Sequence, residues 1–178
     1  MVAEDARGEL VGGLRVHRRG AHALPAEVAL AGQCQLPEHL ERRRGGVVEY
    51  AGLWVEERLR GRGLSAMLVS LGIAITPELG ARHGVAFTHH HLDFWCPFGF
   101  DVDARLQGLA YPSPSYRSSL LWIDALDVPN AAPYIRGVIS RLRHAARERA
   151  AVRWRPGPGS LPDQIEFPRR AAQMVRCA

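Results

Sequence analysis

Apolar residues fall most densely in Val47-Val48-Glu49-Tyr50-Ala51-Gly52-Leu53-Trp54-Val55, a β-branched and aromatic run opened by Gly45-Gly46, and this pattern predicts a strand. A glycine inside such a run marks a bulge or a close backbone approach, so Gly52 is read as a bulge. Upstream, two short apolar stretches flank Arg7-Gly8-Glu9, the second running from Leu10 to His17, and predict an antiparallel hairpin with Arg-Gly in its turn. Residues 20–46 read as a polar connection with Pro25 and Pro37 and room for a short helix before Arg42-Arg43-Arg44. Apolar positions at Leu64, Met67, Leu68, Leu71 and Ile75 have helical spacing, with Pro77 kinking or restarting that helix and Gly80 or Gly84 ending it. Gly84 to Thr88 predicts a short buried strand, His90 to Phe98 an aromatic helix broken by Pro97, and Leu120 to Leu126 a late strand. From Asn130 to Trp154 an arginine-rich amphipathic helix is expected, buried through Ile135, Val138, Ile139, Leu142 and Ala146. Pro156-Gly157-Pro158-Gly159-Ser160 then opens a loosely ordered tail.

Composition narrows the chemistry. The chain has 178 residues, 47% hydrophobic and 23% charged, the range of one ordinary soluble domain able to bury a core. No apolar run is long enough to span a membrane, and no basic-then-apolar leader follows Met1, so a cytoplasmic location is expected. Three widely spaced cysteines (Cys34, Cys96, Cys177) suggest neither a disulfide frame nor a cysteine zinc site. All 23 basic residues are arginine, which excludes a lysine-dependent phosphate loop and a Schiff-base lysine. The lysine-free composition itself fits a GC-rich genome. The net charge of +5 suits a phosphorylated ligand or a nucleic acid and does not decide between them.

The informative stretch is the strand, then Glu56-Glu57-Arg58-Leu59-Arg60-Gly61-Arg62-Gly63-Leu64-Ser65, then the helix. Gly61 and Gly63 permit a tight turn, and the helix that follows aims its free N–H groups and positive dipole end at the same spot. Arg58, Arg60 and Arg62 add charge, which makes this an anion site suited to a pyrophosphate. A tight strand-to-helix turn with solvated arginines is the plainer alternative.

The segment Arg58-Leu59-Arg60-Gly61-Arg62-Gly63 resembles the Arg/Gln-x-x-Gly-x-Gly/Ala signature of the GCN5-related N-acetyltransferase (GNAT) superfamily. Its context is similar too: a bulged strand ending in Trp54-Val55, a helix starting Leu64-Ser65-Ala66-Met67-Leu68, a next strand at Gly84-Val85-Ala86-Phe87, and a short helix ending in Gly99-Phe100. The resemblance spans about Glu9 to Leu126 and implies an α+β fold. Its sheet would be mixed and mostly antiparallel, flanked by helices and splayed at the bulged central strand, with a C-terminal helical extension. It divides the chain into a GNAT-like domain over 1–127, the arginine-rich helix over 128–155 and the tail over 156–178. The implied substrate is acetyl-CoA or another acyl-CoA. Its pyrophosphate would lie on Arg58, Arg60, Gly61, Arg62, Gly63, Leu64 and Ser65, and its pantetheine arm would add to the strand edge at Leu53, Trp54 and Val55. A backbone N–H at the bulge would polarise the thioester oxygen.

The implied reaction is transfer of an acyl group to an amine by direct attack in a ternary complex. A carboxylate that takes the ammonium proton is then required, and Glu49 is the candidate; a solvent-facing edge glutamate is the structural alternative. Glu56 and Glu57 are read as solvated or paired with the loop arginines. Where the family often carries a tyrosine to protonate the leaving thiolate, this chain has Trp95, so Tyr111, Tyr116 and nearby histidines stand as replacements. Gly8 to Val16, Leu24-Pro25 and the placement of Glu49 also resemble the autoinducer-synthase-like and N-acyl amino acid synthase branch, with an acyl carrier protein as alternative donor. Gly52 stands where autoinducer synthases carry arginine, so homoserine-lactone synthesis is not expected. The family's first strand and following helices are not found ahead of Met1.

A non-catalytic arginine-rich binding module of the same fold is the rival reading. Nucleic acid is not an expected partner, and a homodimer remains open. His89-His90-His91 with Asp93 has metal-ligand residue types, but consecutive side chains diverge, so no metal is expected.

Overall fold

The computed structural model describes residues 1–89 and 91–148, together with the backbone of 153–154 and 165–166. Its main sheet has six strands: β1 (Val2–Glu4), β2 (Leu10–Arg18), β3 (Val47–Val55), β4 (His83–Thr88), β5 (Asp101–Val102) and β6 (Ser119–Asp124), in the order β1-β2-β3-β4-β6-β5. β3 and β4 are parallel, whereas β1/β2, β4/β6 and β5/β6 are antiparallel. Helices α1 (Pro25–Ala29) and α2 (Leu36–Glu41) lie between β2 and β3, α3 (Leu64–Ile75) follows β3, α4 (Leu92–Trp95) follows β4, and α5 (Pro133–Arg147) follows β6. Two further strands, Arg153–Trp154 and Ile165–Glu166, pair antiparallel with each other.

The chain divides into two compact units: residues 1–15, 52–75 and the described part of 134–178 form one, and residues 16–51 and 76–133 the other. In the first unit, α3 carries no charged side chain and is buried at nine of its twelve residues, a helix apolar all round rather than one with a single stripe. It can pack so closely because β2 offers glycine beneath it. A methyl group at Gly12 would sit 3.2 Å from Leu64 Cδ2 and Leu68 Cδ1, and one at Gly13 would sit 2.6 Å from the Trp54 indole nitrogen. Burial of Leu64 and Leu68, each 3% exposed, contributes about 1.5–3 kcal/mol apiece.

In the second unit the core joins Leu24, Leu30, Leu36 and Leu40 of the α1–α2 region to Val47, Val85, Leu120 and Trp122 of the sheet. The supposedly polar connection over 20–46 thus holds two helices whose leucines are core. Pro77 does not restart α3: the helix stops at Ile75, and Thr76 is buried with its hydroxyl 2.7 Å from that of Tyr50. Gly84 ends no helix either; it lies inside β4, against the Tyr50 ring. The helix expected to reach Trp154 ends at Arg147, and the tail over 156–178, save the backbone of 165–166, lies outside the described residues.

Acid sensitivity follows from the sheet's open end in this unit. Burial lowers the pKa of His83 from its ordinary value of 6.5, a shift that nearby Asp124 opposes and Arg43 reinforces, while its ring contacts the Arg44 carbonyl at 3.1 Å. Burial pushes Asp124 the other way, but the Arg82 guanidinium at 2.7 Å and the amides of Asp127 and Leu126 outweigh it and hold its carboxyl low. A lowered histidine contributes stability that is complete above about 6.5 and is lost as pH falls through its folded value. Asp124 loses its contribution only below its ordinary 3.8. Thermal denaturation from pH 8 to 3 is therefore expected to show two successive losses, the first absent in His83→Gln and the second reduced in Arg82→Ala.

Candidate functional site

β3 changes character along its length. Val47 to Tyr50 are buried on both faces, whereas Gly52 and Trp54 are exposed between half-buried Ala51, Leu53 and Val55. In-register pairing with β4 runs from Val47↔His83 to Tyr50↔Ala86 and ends there. Two residues on, Gly52 takes a φ of +60°, the left-handed conformation that an L side chain resists. The strand's end is held by the Glu56 N–H donating to the Val11 carbonyl at 2.9 Å.

A 3-10 turn, Glu57–Leu59, leads into the glycine loop, where Gly61 and Gly63 have φ of +69° and +85°. The space at Gly61 is open: a methyl group there meets no atom within 4 Å. The Gly63 carbonyl accepts the Met67 N–H at 2.9 Å, so α3 begins directly at the loop and leaves its first-turn amides available. The exposed Arg60 donates its Nε to the Val55 carbonyl at 3.3 Å, bracing loop to strand, and Arg62 is exposed. Leu53, Trp54, Val55, Arg60, Gly61, Arg62, Gly63, Leu64 and Ser65 thus form one continuous strand-loop-helix feature of the first unit.

Arg58 is turned elsewhere. Its Nε donates to Glu56 at 2.7 Å and its Nη2 to Asp5 at 3.2 Å, with Glu9 at 3.8 Å. Glu56 and Asp5 hold it firmly protonated, and Asp5, fixed by the N–H groups of Arg7 and Glu9 and by Arg58, is held below the usual carboxylate range. The signature arginine therefore staples the β1–β2 turn to the start of the loop. Glu56 pairs with a loop arginine, as the sequence suggested.

Glu49 belongs to the second unit and does not face solvent: it is 0% exposed. Its Oε2 accepts the Ala26 N–H at 3.1 Å and its Oε1 accepts the Tyr111 hydroxyl at 3.0 Å. The first of these has a local cause. Helix α1 begins at Leu24-Pro25, and leucine carries no oxygen to cap the first turn. Glu49 supplies that cap from the sheet and Glu27 supplies another, accepting the Leu24 N–H at 2.8 Å while Arg19 grips its carboxylate at 3.0 Å. No local signal in the sequence marks Tyr111 as the partner of Glu49, because they are 62 residues apart.

Other expectations resolve as packing. Trp95 is a core residue, 7% exposed and edge-on to Phe100 at 5.0 Å. Gly99, at φ +89°, stands where the Asn130–Ala131 backbone passes: a methyl there would fall 2.6 Å from the Ala131 nitrogen. Tyr116 packs edge-on to His89 at 4.3 Å, and His91, in a left-handed conformation, precedes α4. Among the described residues no three His, Cys, Asp or Glu side chains gather as metal ligands, and His90 lies outside them. A cleft of about 380 Å³ in the second unit is lined by Arg43, Asp101, Asp103, Trp122 and Asn130. Its polar groups pair internally, Trp122 Nε1 with Asp103 at 2.9 Å and Asn130 with Asp101 at 2.8 Å.

No protein-family model matches the chain. An uncharacterized protein of Mycobacterium tuberculosis is 30% identical over 138 residues, which is 73% of this chain and 52% of that protein, and one from Mycobacterium bovis matches equally. The chain thus spans about half the length of the curated relatives it matches. Among solved structures, FeeM, an N-acyl amino acid synthase from uncultured soil microbes, superposes with a TM-score of 0.57 at 15% identity, over 73% of this chain and 70% of FeeM. BjaI, a CoA-dependent acyl-homoserine lactone synthase solved with SAM and isopentyl-CoA, superposes with a TM-score of 0.50 at 16% identity, over 79% of this chain and 62% of BjaI. The chain has the fold of the GNAT superfamily.

Proposed function

We propose that this protein is an N-acyltransferase that moves an acyl group from acyl-CoA to an amine. The observation that carries the reading is the feature from Gly52 to Ser65. It joins a strand bent at a left-handed glycine to a loop with two further left-handed glycines, and that loop opens directly into the N-terminus of a twelve-residue buried helix. Such a loop offers several backbone N–H groups and a positive dipole end to an anion of pyrophosphate size, and the open space at Gly61 lets that anion reach the backbone. Arg60 and Arg62 supply charge, whereas Arg58 serves the loop by anchoring it. The edge of β3 at Leu53 to Val55 is where an extended pantetheine arm would add, although the Val55 carbonyl is already engaged by Arg60.

FeeM is by name an N-acyl amino acid synthase and BjaI a CoA-dependent acyl-homoserine lactone synthase, which supports this chemistry for the shared fold. In this reading the acceptor amine attacks the thioester carbonyl after losing its ammonium proton, and Glu49 is the carboxylate that takes that proton up. Acetyl-CoA and longer acyl-CoAs are the donors to test first.

Calorimetric titration of the purified chain at moderate salt is expected to show saturable binding of at least one acyl-CoA, with thiol release on addition of an amine acceptor. Absence of binding to every acyl-CoA would overturn the CoA-dependent reading and direct the search to an acyl carrier protein donor. Binding without turnover would support the non-catalytic module instead.

A further inference from the structure

The acyltransferase reading leaves the cleft of the second unit without a role, although its volume of about 380 Å³ is that of an ordinary small-molecule site. One wall is built by the sheet. Asp101 of β5 stands directly across from Trp122 of β6, so the two side chains leave the same face. The Arg43 guanidinium lies over the Trp122 ring, 4.6 Å from its centroid. A carboxylate, an aromatic ring and a guanidinium thus line the same cleft.

Most of the polar groups there are engaged. Asp103 accepts the Arg105 N–H at 3.0 Å on one oxygen and the Trp122 indole N–H at 2.9 Å on the other. Asp124 is gripped by Arg82 at 2.7 Å. Two opposite charges are left over, both exposed. Asp101 Oδ2 accepts the Asn130 amide at 2.8 Å, but among the described residues its Oδ1 has no hydrogen-bond partner. Among the same residues Arg43 has no carboxylate within 4.0 Å.

Each charge is kept from the other by a neutral neighbour. The indole ring holds the guanidinium, and Asn130 holds the carboxylate. Asn130 is itself fixed, because its backbone packs on Gly99, where a methyl group would fall 3.0 Å from the Asn130 carbonyl carbon. Charges held apart in one cleft disfavour simple ions. A cation drawn to Asp101 meets the repulsion of Arg43, and an anion drawn to Arg43 meets that of Asp101. A molecule that carries both signs satisfies both.

We propose that this cleft binds a small zwitterion of the amino-acid class, its carboxylate paired with Arg43 and its ammonium with Asp101. A guanidinium takes a carboxylate through two parallel N–H bonds, and an ammonium gives Oδ1 the donor it lacks. The site lies wholly within the second unit and does not rest on the acyltransferase reading.

The test follows the Trp122 indole N–H resonance, assigned by its loss in Trp122→Phe, while the full chain is titrated with each standard amino acid. At least one is expected to shift it saturably, with a Kd of about 1 mM or tighter. The methyl ester and the N-acetyl form of that amino acid each lack one charge and are expected to bind about 10-fold more weakly or worse. Arg43→Gln and Asp101→Asn should weaken the parent amino acid to the same degree. Both residues are exposed, so thermal melts of the variants are expected within about 3 °C of wild type. The pairing is read from the crossed measurements: N-acetylation costs little further in Asp101→Asn, and esterification little further in Arg43→Gln. A wild-type resonance that no standard amino acid shifts overturns the proposal. So does a singly charged derivative that binds as tightly as its parent, or binding that neither variant weakens.

Discussion

Glutamate in place of Gly61 is expected to abolish acyl-CoA binding while leaving the chain folded. The two effects separate because a side chain at Gly61 meets no atom within 4 Å. The native φ of +69° adds a backbone penalty of about 1–2 kcal/mol for any L residue, which is too small to unfold an ordinary domain. The new carboxylate would stand where the donor's pyrophosphate must approach the amides at the start of α3. Repulsion and the displaced loop together are expected to weaken binding at least about 100-fold, or about 2.7 kcal/mol. Gly108→Glu is the matched control: Gly108 also has a left-handed φ, +69°, and also faces open space, but it lies in the second unit. Calorimetry should show wild-type binding for Gly108→Glu and none for Gly61→Glu. Equal effects, or none from Gly61→Glu, would remove the glycine loop from the donor site.

The largest effect on stability is expected at Gly84. A methyl group on this β4 residue would fall 2.2 Å from Tyr50 Cε2 and 2.7 Å from its hydroxyl oxygen. The ring cannot readily turn away, because its hydroxyl lies 2.7 Å from that of buried Thr76 and its edge meets Phe100 at 5.9 Å. Overpacking of this kind costs about 1–3 kcal/mol and occasionally more, and Gly84→Ala should lie at the upper end. For a chain of this size that lowers Tm by about 6–12 °C. If the clash is the cause, Gly84→Ala adds little further loss in a Tyr50→Ala background, a non-additivity that thermal melts of the four proteins would show. Additive losses would place the cost in the strand backbone instead.

These two glycines show where reading the sequence succeeds. Gly61 was legible because a strand, a glycine pair and a helix start follow one another within one short segment, and local backbone chemistry dictates what such a segment does. For the same reason the bounds of β3 were readable from residues 47–55 alone, and Gly52, read as a bulge or close backbone approach, takes a left-handed φ. Gly84 carries the same one-letter signal, and the pattern placed it both at the start of a strand, where it lies, and as a possible helix end; its packing role depends on the Tyr50 ring from the neighbouring strand. Trp95 follows the same rule: a resemblance marks it as a missing tyrosine, while packing against Phe100 makes it part of the core.

The sequence by itself determined the strand-loop-helix feature, because it rests on residues close along the chain, whereas the α+β class and the candidacy of Glu49 came from a resemblance carried by the chain from about Glu9 to Leu126. Tertiary structure alone decided what those residues touch. It turned Arg58 from the loop toward Asp5, Glu9 and Glu56, made leucines of an apparently polar connection into core, and buried Glu49 against Tyr111 at the start of a helix whose N-cap leucine has no side-chain oxygen. Hydrogen bonds and burial depend on distance in space, and chain positions 62 residues apart carry no mark of it.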